Sequence, residues 1–470
     1  MDRGASLLFR LSQRSCAFAE RWFPDAYAFA LAVVVVVAGA ALLLGVRPLA
    51  VATSFGEGFW SVIPFTMQMS FIIIGGYVTA DSPAVSRLIE GLAALPRSAR
   101  GAVALVALVS TVSALLHWGL SMILGSLLVR ALARRPALGM DYRAAAAATM
   151  AGPGSIWALG LSSSAAQLQA NPASMPPALL AVSGVLPFSS TIFLWQSMLL
   201  ASVLLVVAVF VSWQTAPPAG TATSAGAMGI DVADGGRSLA PRQRPGEWLE
   251  YSPLLGLIVV ALGLAWLVAQ FATKGFTATI ANLNTYNLMF LLLGMLLHWR
   301  PRRFAESVTR AIPAVAGVLL QFPLLGALSS MMTTAHNADG VTLSNVLSHA
   351  FSAVATHDTF APLVGLYSAV LGLVIPSGGG KWLVEGPYVM AAANQLHYHL
   401  GWTVQIYNAA EALPNLINPF WMLPVMGVLG LKARDLIGYT FVLFAVNLPI
   451  VLLLLWLLGS TLGYQPPVMP

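Results

Sequence analysis

The sequence predicts an all-α polytopic membrane protein built from two inverted repeats, each with a re-entrant helical hairpin and a broken helix. Three observations predict it. Hydrophobic residues make up 58% of the 470 and charged residues 9%, with a mean hydropathy of +0.80, a balance foreign to a water-soluble chain with one packed core. Apolar runs of the roughly 20 residues that span about 30 Å of hydrocarbon recur from Phe23 to Leu458. Segments rich in glycine and proline interrupt those runs at matching places in the two halves, the pattern of internally repeated carriers.

The first run has no obvious small-residue cleavage site behind it and is expected to stay as a helix. A single cysteine, Cys16, excludes an internal disulfide and a cysteine-based metal centre, so neither redox chemistry nor a metal site is expected. The 23 Lys and Arg against 17 Asp and Glu, with a pI near 9.6, reflect topology rather than a nucleic-acid partner, because basic residues collect in cytoplasmic loops. Arg3, Arg10, Arg14 and Arg21 precede the first run, Arg87, Arg97 and Arg100 follow the second, and Arg130, Arg134, Arg135 and Arg143 form a cluster. Further basic loops carry Arg237, Arg242 and Arg244, then Arg300, Arg302, Arg303 and Arg310, then Lys432 and Arg434. Placing all of these on one side sets the N-terminus in the cytoplasm and the C-terminus outside. Arg47 and Lys274 then fall outside, and Lys381 falls within the membrane.

Residues 101–129, GAVALVALVSTVSALLHWGLSMILGSLLV, are apolar enough to cross, yet basic loops flank both ends, so the chain must pass an even number of times. Too short for two full spans, the segment fits a helix, a turn near Leu115–Gly119 and a helix back. This is a hairpin opening to the cytoplasm, tolerated at membrane depth only where protein or a wet cavity satisfies its amides. One long tilted helix is the alternative, and it would put Arg130, Arg134 and Arg135 outside.

FGEGFWSVIP (Phe55–Pro64) and FAESVTRAIP (Phe304–Pro313) share Phe, Glu, Ile and Pro at one spacing, an offset of 249 positions (55 to 304). At a similar offset, 260 positions (101 to 361), the hairpin falls on residues 361–389, APLVGLYSAVLGLVIPSGGGKWLVEGPYV. Its flanking loops, 331–360 and 392–402, hold no Lys or Arg, so this hairpin opens to the periplasmic side. A broken span follows each hairpin: AAAAATMAGPGSIW, with breaks expected at Gly152, Pro153 and Gly154, and YNAAEALPNLINPFW, with breaks at Pro414 and Pro419. Residues 214–247, rich in Ala, Gly, Pro, Ser and Thr, read as a flexible cytoplasmic linker between an N-terminal repeat (1–213) and a C-terminal repeat (248–470). An extra span near 252–270 inverts the second repeat.

The stretch VIPSGGGKWLVEGPYV (374–389) places three glycines, a lysine and a glutamate in an apolar hairpin. Glycines let two half-helices approach and leave N–H groups at a helix N-terminus, a dipole-assisted pocket for an anion. Ser377, Gly378, Gly379 and Gly380 are therefore the expected substrate-binding residues, with His117 and Gly119 joining them from the first hairpin tip. Lys381 adds a full charge; an ammonium in the membrane reads as functional, and a purely structural pair with Glu385 one turn later is the alternative. His117 stands equally as a ligand contact, a proton relay or a satisfied structural histidine. A Walker P-loop is excluded because Ile375 and Trp382 occupy the positions that need Gly and Ser or Thr.

Glu411, acidic in an apolar span before Pro414, is the expected coupling-ion carboxylate, with Gly152 and Gly154 as further coupling-ion positions. Asn415 and Asn418 satisfy broken backbone or touch the ligand carboxylate. Ser162, Ser163 and Ser164 close the amides of the first broken helix, and His357 with Asp358, beside the second hairpin, reads as a solvated surface pair or a proton relay.

PSGGGKWLVEGP, HWGLSMILGSLL and AAEALPNLINPFWMLP resemble the short-chain fatty acid transporter family of bacteria, which includes an acetoacetate and butyrate permease, over nearly the whole chain. Lys381 departs from that pattern, which carries an uncharged Gln after the glycines. The resemblance implies uptake of a small monocarboxylate such as butyrate or acetoacetate across the bacterial inner membrane, without a cofactor and with H⁺ or Na⁺ as coupling ion. Through the broader ion-transporter superfamily it also implies a homodimer in lipid, a scaffold domain, and a transport domain that moves like an elevator. The chain carries no Gly-x-Ser-x-Gly elbow and no His-Glu-x-x-His pair, which argues against an intramembrane enzyme. Its polar residues cluster at two hairpins rather than forming a pore-long stripe, which argues against a channel. Within carriers, a citrate or dicarboxylate type would need more than one embedded cation, whereas Lys381 is alone.

Overall fold

The computed structural model describes residues 26–470 apart from 218, 233–238, 240, 376 and 470, so Arg3, Arg10, Arg14, Cys16, Arg21 and Arg237 lie outside the described residues. Among the described residues the ordered elements are helices, and no β-strand forms. Six of these helices are long and apolar enough to cross a membrane.

One set of helices packs around a single long one. It comprises α1 (Ala26–Leu43), α2 (Pro48–Ser61) and α3 (Ile63–Ala80), followed by the short amphipathic α4 (Pro83–Ala94). Much later in the chain come α13 (Leu283–His298) and α14 (Pro301–Thr333, 33 residues), and α14 runs along α1, α2 and α3. A methyl on Gly58 would stand 2.7 Å from the Gly326 carbonyl, and one on Gly326 would stand 2.7 Å from the Gly58 carbonyl. Two glycines thus let the α2 and α14 backbones touch, a contact no side chain would allow.

The second set begins with α5 (Ala99–Leu116) and α6 (Trp118–Ala133), broken only at His117. The pair runs antiparallel, since the Ser121 hydroxyl donates to the Ser110 carbonyl at 2.8 Å. Then come α7 (Tyr142–Ala148), α8 (Ala151–Ser155), a 3₁₀ turn at Trp157–Leu159, α9 (Ser164–Gln169), α10 (Pro177–Ser183) and the long α11 (Trp195–Thr215). The breaks therefore flank Gly152–Gly154 instead of falling on them. Pro153 is the third residue of α8, where a missing N–H costs no helical bond. Gly152 serves packing instead: a methyl there would stand 2.7 Å from the Ser110 carbonyl carbon.

Part of the segment expected as a flexible linker is docked. Asp141 caps α7 by accepting from Ala144 N–H at 2.9 Å, and its other oxygen accepts from Thr223 N–H at 2.8 Å. Tyr142 N–H donates to the Thr223 carbonyl at 2.9 Å. A capping carboxylate has acceptor capacity to spare, and the linker supplies the second donor.

After the linker, α12 (Leu254–Lys274) is the extra span; Leu255, Ile258, Leu262 and Val268 on it are all exposed, an apolar face that suits lipid rather than water. The chain continues through α13 (Leu283–His298), α14, α15 (Leu343–Val354), α16 (Phe360–Val374), α17 (Gly378–Gln395), α18 (Leu400–Ala412), a 3₁₀ turn at Leu413–Leu416, α19 (Pro419–Leu429) and α20 (Ala433–Gly459). The two sets meet where α3 packs on α6 and α14 packs on α17.

Candidate functional site

Each hairpin tip ends on an extended residue that caps the helix after it. His117 (φ −157°, ψ 114°) accepts from Leu120 N–H through Nδ1 at 3.3 Å, and Ser377 (φ −153°, ψ 105°) accepts from Gly380 N–H through Oγ at 3.2 Å. An N-cap takes one of the first amides and leaves the others without an acceptor in the helix. At α17 those are the amides of Gly378 and Gly379.

Gly378 and Gly379 line a cavity of about 560 Å³ between the two sets of helices, within the usual range for small-molecule sites of roughly 300–1,000 Å³. Trp118 and Gly119 of the first tip, Trp157, Ser164 and Ser377 share its wall, as do Met69 of α3, Phe322 of α14 and Trp421 of α19. Trp118, Trp157 and Trp421 form one aromatic cluster with ring centroids 5.7–6.4 Å apart. The cavity is thus mostly apolar, with main-chain amides concentrated at one end.

Lys381 is not part of that lining. Its side chain is fully buried, and Nζ donates to the Ser368 carbonyl on α16 at 2.7 Å. Nζ also lies 3.7 Å from Glu385 Oε2 and 4.7 Å from the centre of the Tyr407 ring. The Ser368 hydroxyl donates to Glu385 Oε1, and the hydroxyls of Tyr367 and Tyr388 meet at 2.8 Å further along. These bonds hold α16 and α17 antiparallel. Glu411 is buried on α18, and its Oε2, which has no hydrogen-bond partner among the described residues, would stand 3.1 Å from a methyl on Gly378. Tyr407, one turn before it, donates to the Gly378 carbonyl at 2.5 Å.

The remaining expected residues divide by position. His117 packs its ring on Tyr286 and Phe290 of α13 and lies behind the cavity wall. Asn415 Nδ2 donates to the Pro153 carbonyl at 3.0 Å, and Asn418 Nδ2 donates to the Leu373 carbonyl at 3.4 Å, so both asparagines hold broken backbone. Gly154 faces the Leu416 side chain. Ser162 accepts from Trp118 N–H at 3.0 Å and closes an amide of the hairpin tip, whereas Ser163 caps α9. His357 and Asp358 form an exposed pair, 3.5 Å apart.

Arg310 escaped the sequence reading because it was counted among loop charges. It lies in the third turn of α14 and is the only charged residue among the described residues that line the cavity. Its Nη2 donates to Asp81 Oδ2 at 2.6 Å, and the Ser307 hydroxyl donates to the same oxygen at 2.8 Å. Twelve residues of helix, about 18 Å, separate Arg310 from Phe322 at the glycine end.

The family profile described as "Short chain fatty acid transporter" matches residues 7–458. A protein of Escherichia coli K12 is 32% identical over 435 residues, covering 92% of this chain and 96% of its own. One of Haemophilus influenzae is 29% identical over 461 residues, covering 96% of this chain and 100% of its own. Both are described as "Putative short-chain fatty acid transporter". Among solved structures, the Alcanivorax borkumensis YdaH transporter superposes with a TM-score of 0.58 at 16% identity, over 93% of this chain and 98% of that one. At that identity the likeness speaks for the fold alone.

Proposed function

Because the chain belongs to the short-chain fatty acid transporter family, we propose that it is a secondary active transporter of short-chain monocarboxylates, such as butyrate or acetoacetate, coupled to a cation. The observation that carries this reading is the cavity between the two helix sets, apolar along its walls and closed at one end by the Gly378 and Gly379 amides at the start of α17. A short alkyl chain fits the tryptophan wall, and its carboxylate meets the N-terminal amides and their dipole. Arg310 at the other end draws the anion in from solution.

The set built on α14 is read as a scaffold and the set holding both hairpins as a transport domain. The two hairpins are then the re-entrant elements of an inverted repeat, and carriage is an elevator-like displacement of the transport domain in the bacterial cytoplasmic membrane. The N-terminus lies on the cytoplasmic side, the C-terminus on the periplasmic side, and a homodimer is the working unit. The matched capping angles at His117 and Ser377 support the repeat. Arg310 does give the cavity one of the two cations that a dicarboxylate carrier would need, the Lys381 ammonium lying outside its lining. The Arg310 charge is answered by Asp81, however, and about 18 Å of helix is longer than a small diacid can bridge.

The test is counterflow. Proteoliposomes loaded with unlabelled butyrate should accumulate labelled butyrate transiently beyond protein-free liposomes, and excess acetoacetate should suppress the signal. Equal traces with and without protein would defeat the proposal.

A further inference from the structure

The ammonium of Lys381 fills an oxygen-lined cage inside the second hairpin: the Ser368 carbonyl at 2.7 Å on one arm and Glu385 at 3.7 Å on the other. The face of Tyr407 closes the cage at 4.7 Å, and such a face also attracts cations. A carbonyl and a carboxylate are the hard oxygen donors that an alkali cation takes. We propose that Lys381 is a built-in counter-cation that takes the place of such an ion, and that monocarboxylate uptake is therefore coupled to a proton carried on Glu411 and is independent of Na⁺. The inference rests on the monocarboxylate reading for its substrate, but not for the cage.

Charge balance carries the second half. Lys381, Glu385 and Glu411 are all buried, and Lys381 interacts electrostatically with both carboxylates. One ammonium answers one carboxylate, which leaves a single negative charge if both acids are ionised. The other titratable groups on α18 and on the two hairpin arms packed against it, α16 and α17, are the phenols Tyr407, Tyr367 and Tyr388. Neither α8, α9 nor the two 3₁₀ turns beside α18 contains a titratable residue, and the charged residues of α20 sit in its first turn.

Glu411 Oε2, without a partner among the described residues, lies beside Gly378, which lines the cavity. A substrate carboxylate on the Gly378 and Gly379 amides would face it as a like charge in a low dielectric, which is strongly unfavourable. The anion therefore enters together with a proton. That proton comes from the side of entry, sits on the Glu411 carboxyl while the anion is bound, and leaves with it. The site carries one negative charge in either leg: Glu411 when empty, the substrate when loaded.

Butyrate titration of the purified full-length protein tests this directly and avoids passive leak of the neutral acid. As pH rises across the range in which Glu411 titrates, the wild-type Kd should weaken by up to about tenfold per unit, as linkage to one proton requires. It should be the same in sodium and in choline chloride. Glu411→Gln should bind with a Kd that no longer follows pH. A wild-type Kd that tightens with sodium, or one that ignores pH, overturns the proposal. Lys381→Gln empties the cage, so sodium but not choline should raise its melting temperature by at least about 3 °C while leaving the wild type unmoved. No sodium effect on a folded Lys381→Gln protein also overturns it, and if that variant cannot be recovered the wild-type titrations decide. Failure of butyrate to bind under any condition, with the sodium shift of Lys381→Gln intact, would sink the monocarboxylate reading and leave the counter-cation standing.

Discussion

Arg310 and Asp81 meet at 2.6 Å where α14 passes the end of α3, and Arg310 lines the cavity. The Asp81 side chain is 2% exposed and that of Arg310 is 40% exposed. The carboxylate is thus held by the pair and by Ser307, while the guanidinium keeps an exposed face. Replacing Arg310 with Gln strands a buried carboxylate, at about 1–3 kcal/mol. The melting temperature should fall, with partial recovery in the double variant with Asp81→Asn. Half-saturation for butyrate should rise on the side that the cavity faces and stay unchanged on the other. An unaltered half-saturation on both sides would remove Arg310 from substrate capture.

Asn415 ties the second broken helix to the first through the Pro153 carbonyl. Asn415→Ala leaves that buried carbonyl without its donor, an expected loss of about 1–3 kcal/mol, read as a fall in melting temperature. A loss below about 0.5 kcal/mol would mean that the two breaks do not support each other.

Gly379 has no room for a side chain. A methyl there would stand 2.8 Å from Phe65 Cζ and 3.0 Å from Ser164 Cβ, which would wedge the hairpin away from α3 and cover the amides. Gly379→Val should reach the membrane at normal yield and show no butyrate counterflow. Wild-type counterflow in that variant would restrict the glycines to helix packing.

Lys381 and Glu385 form a pair with no exposed surface. Either single change to Gln leaves a buried charge unanswered and should cost roughly 3–5 kcal/mol, while the double change should recover most of it. Because Lys381 lies outside the cavity lining, the double variant should also bind butyrate within about threefold of the wild type at low pH. A large loss of affinity that persists in the stable double variant would make Lys381 a direct ligand instead.

Hydropathy by itself determined the membrane class, and two sequence periods determined where the chain turns back. His117 and Ser377 are the same distance apart, 260 positions (117 to 377), as the hairpins aligned in the sequence, because residues that must cap a helix and stop another are local requirements written in local chemistry. The glycines at 378–380 were legible for the same reason: a helix start needs a cap and room, and both are encoded within a few residues.

The direction of side chains was not legible. Lys381 follows the glycines by one residue, yet helical rotation aims it at Ser368 and Tyr407 while Gly378 and Gly379 face the cavity. Arg310 looked like one more loop charge until α14 proved long enough to carry it to the cavity, and Asn415 and Pro153, 262 positions apart, met only when two broken helices crossed. Which carboxylate sits behind which glycine depends on how α17 packs on α18. Such packing is settled by contacts between residues far apart in sequence, and tertiary structure alone decides it.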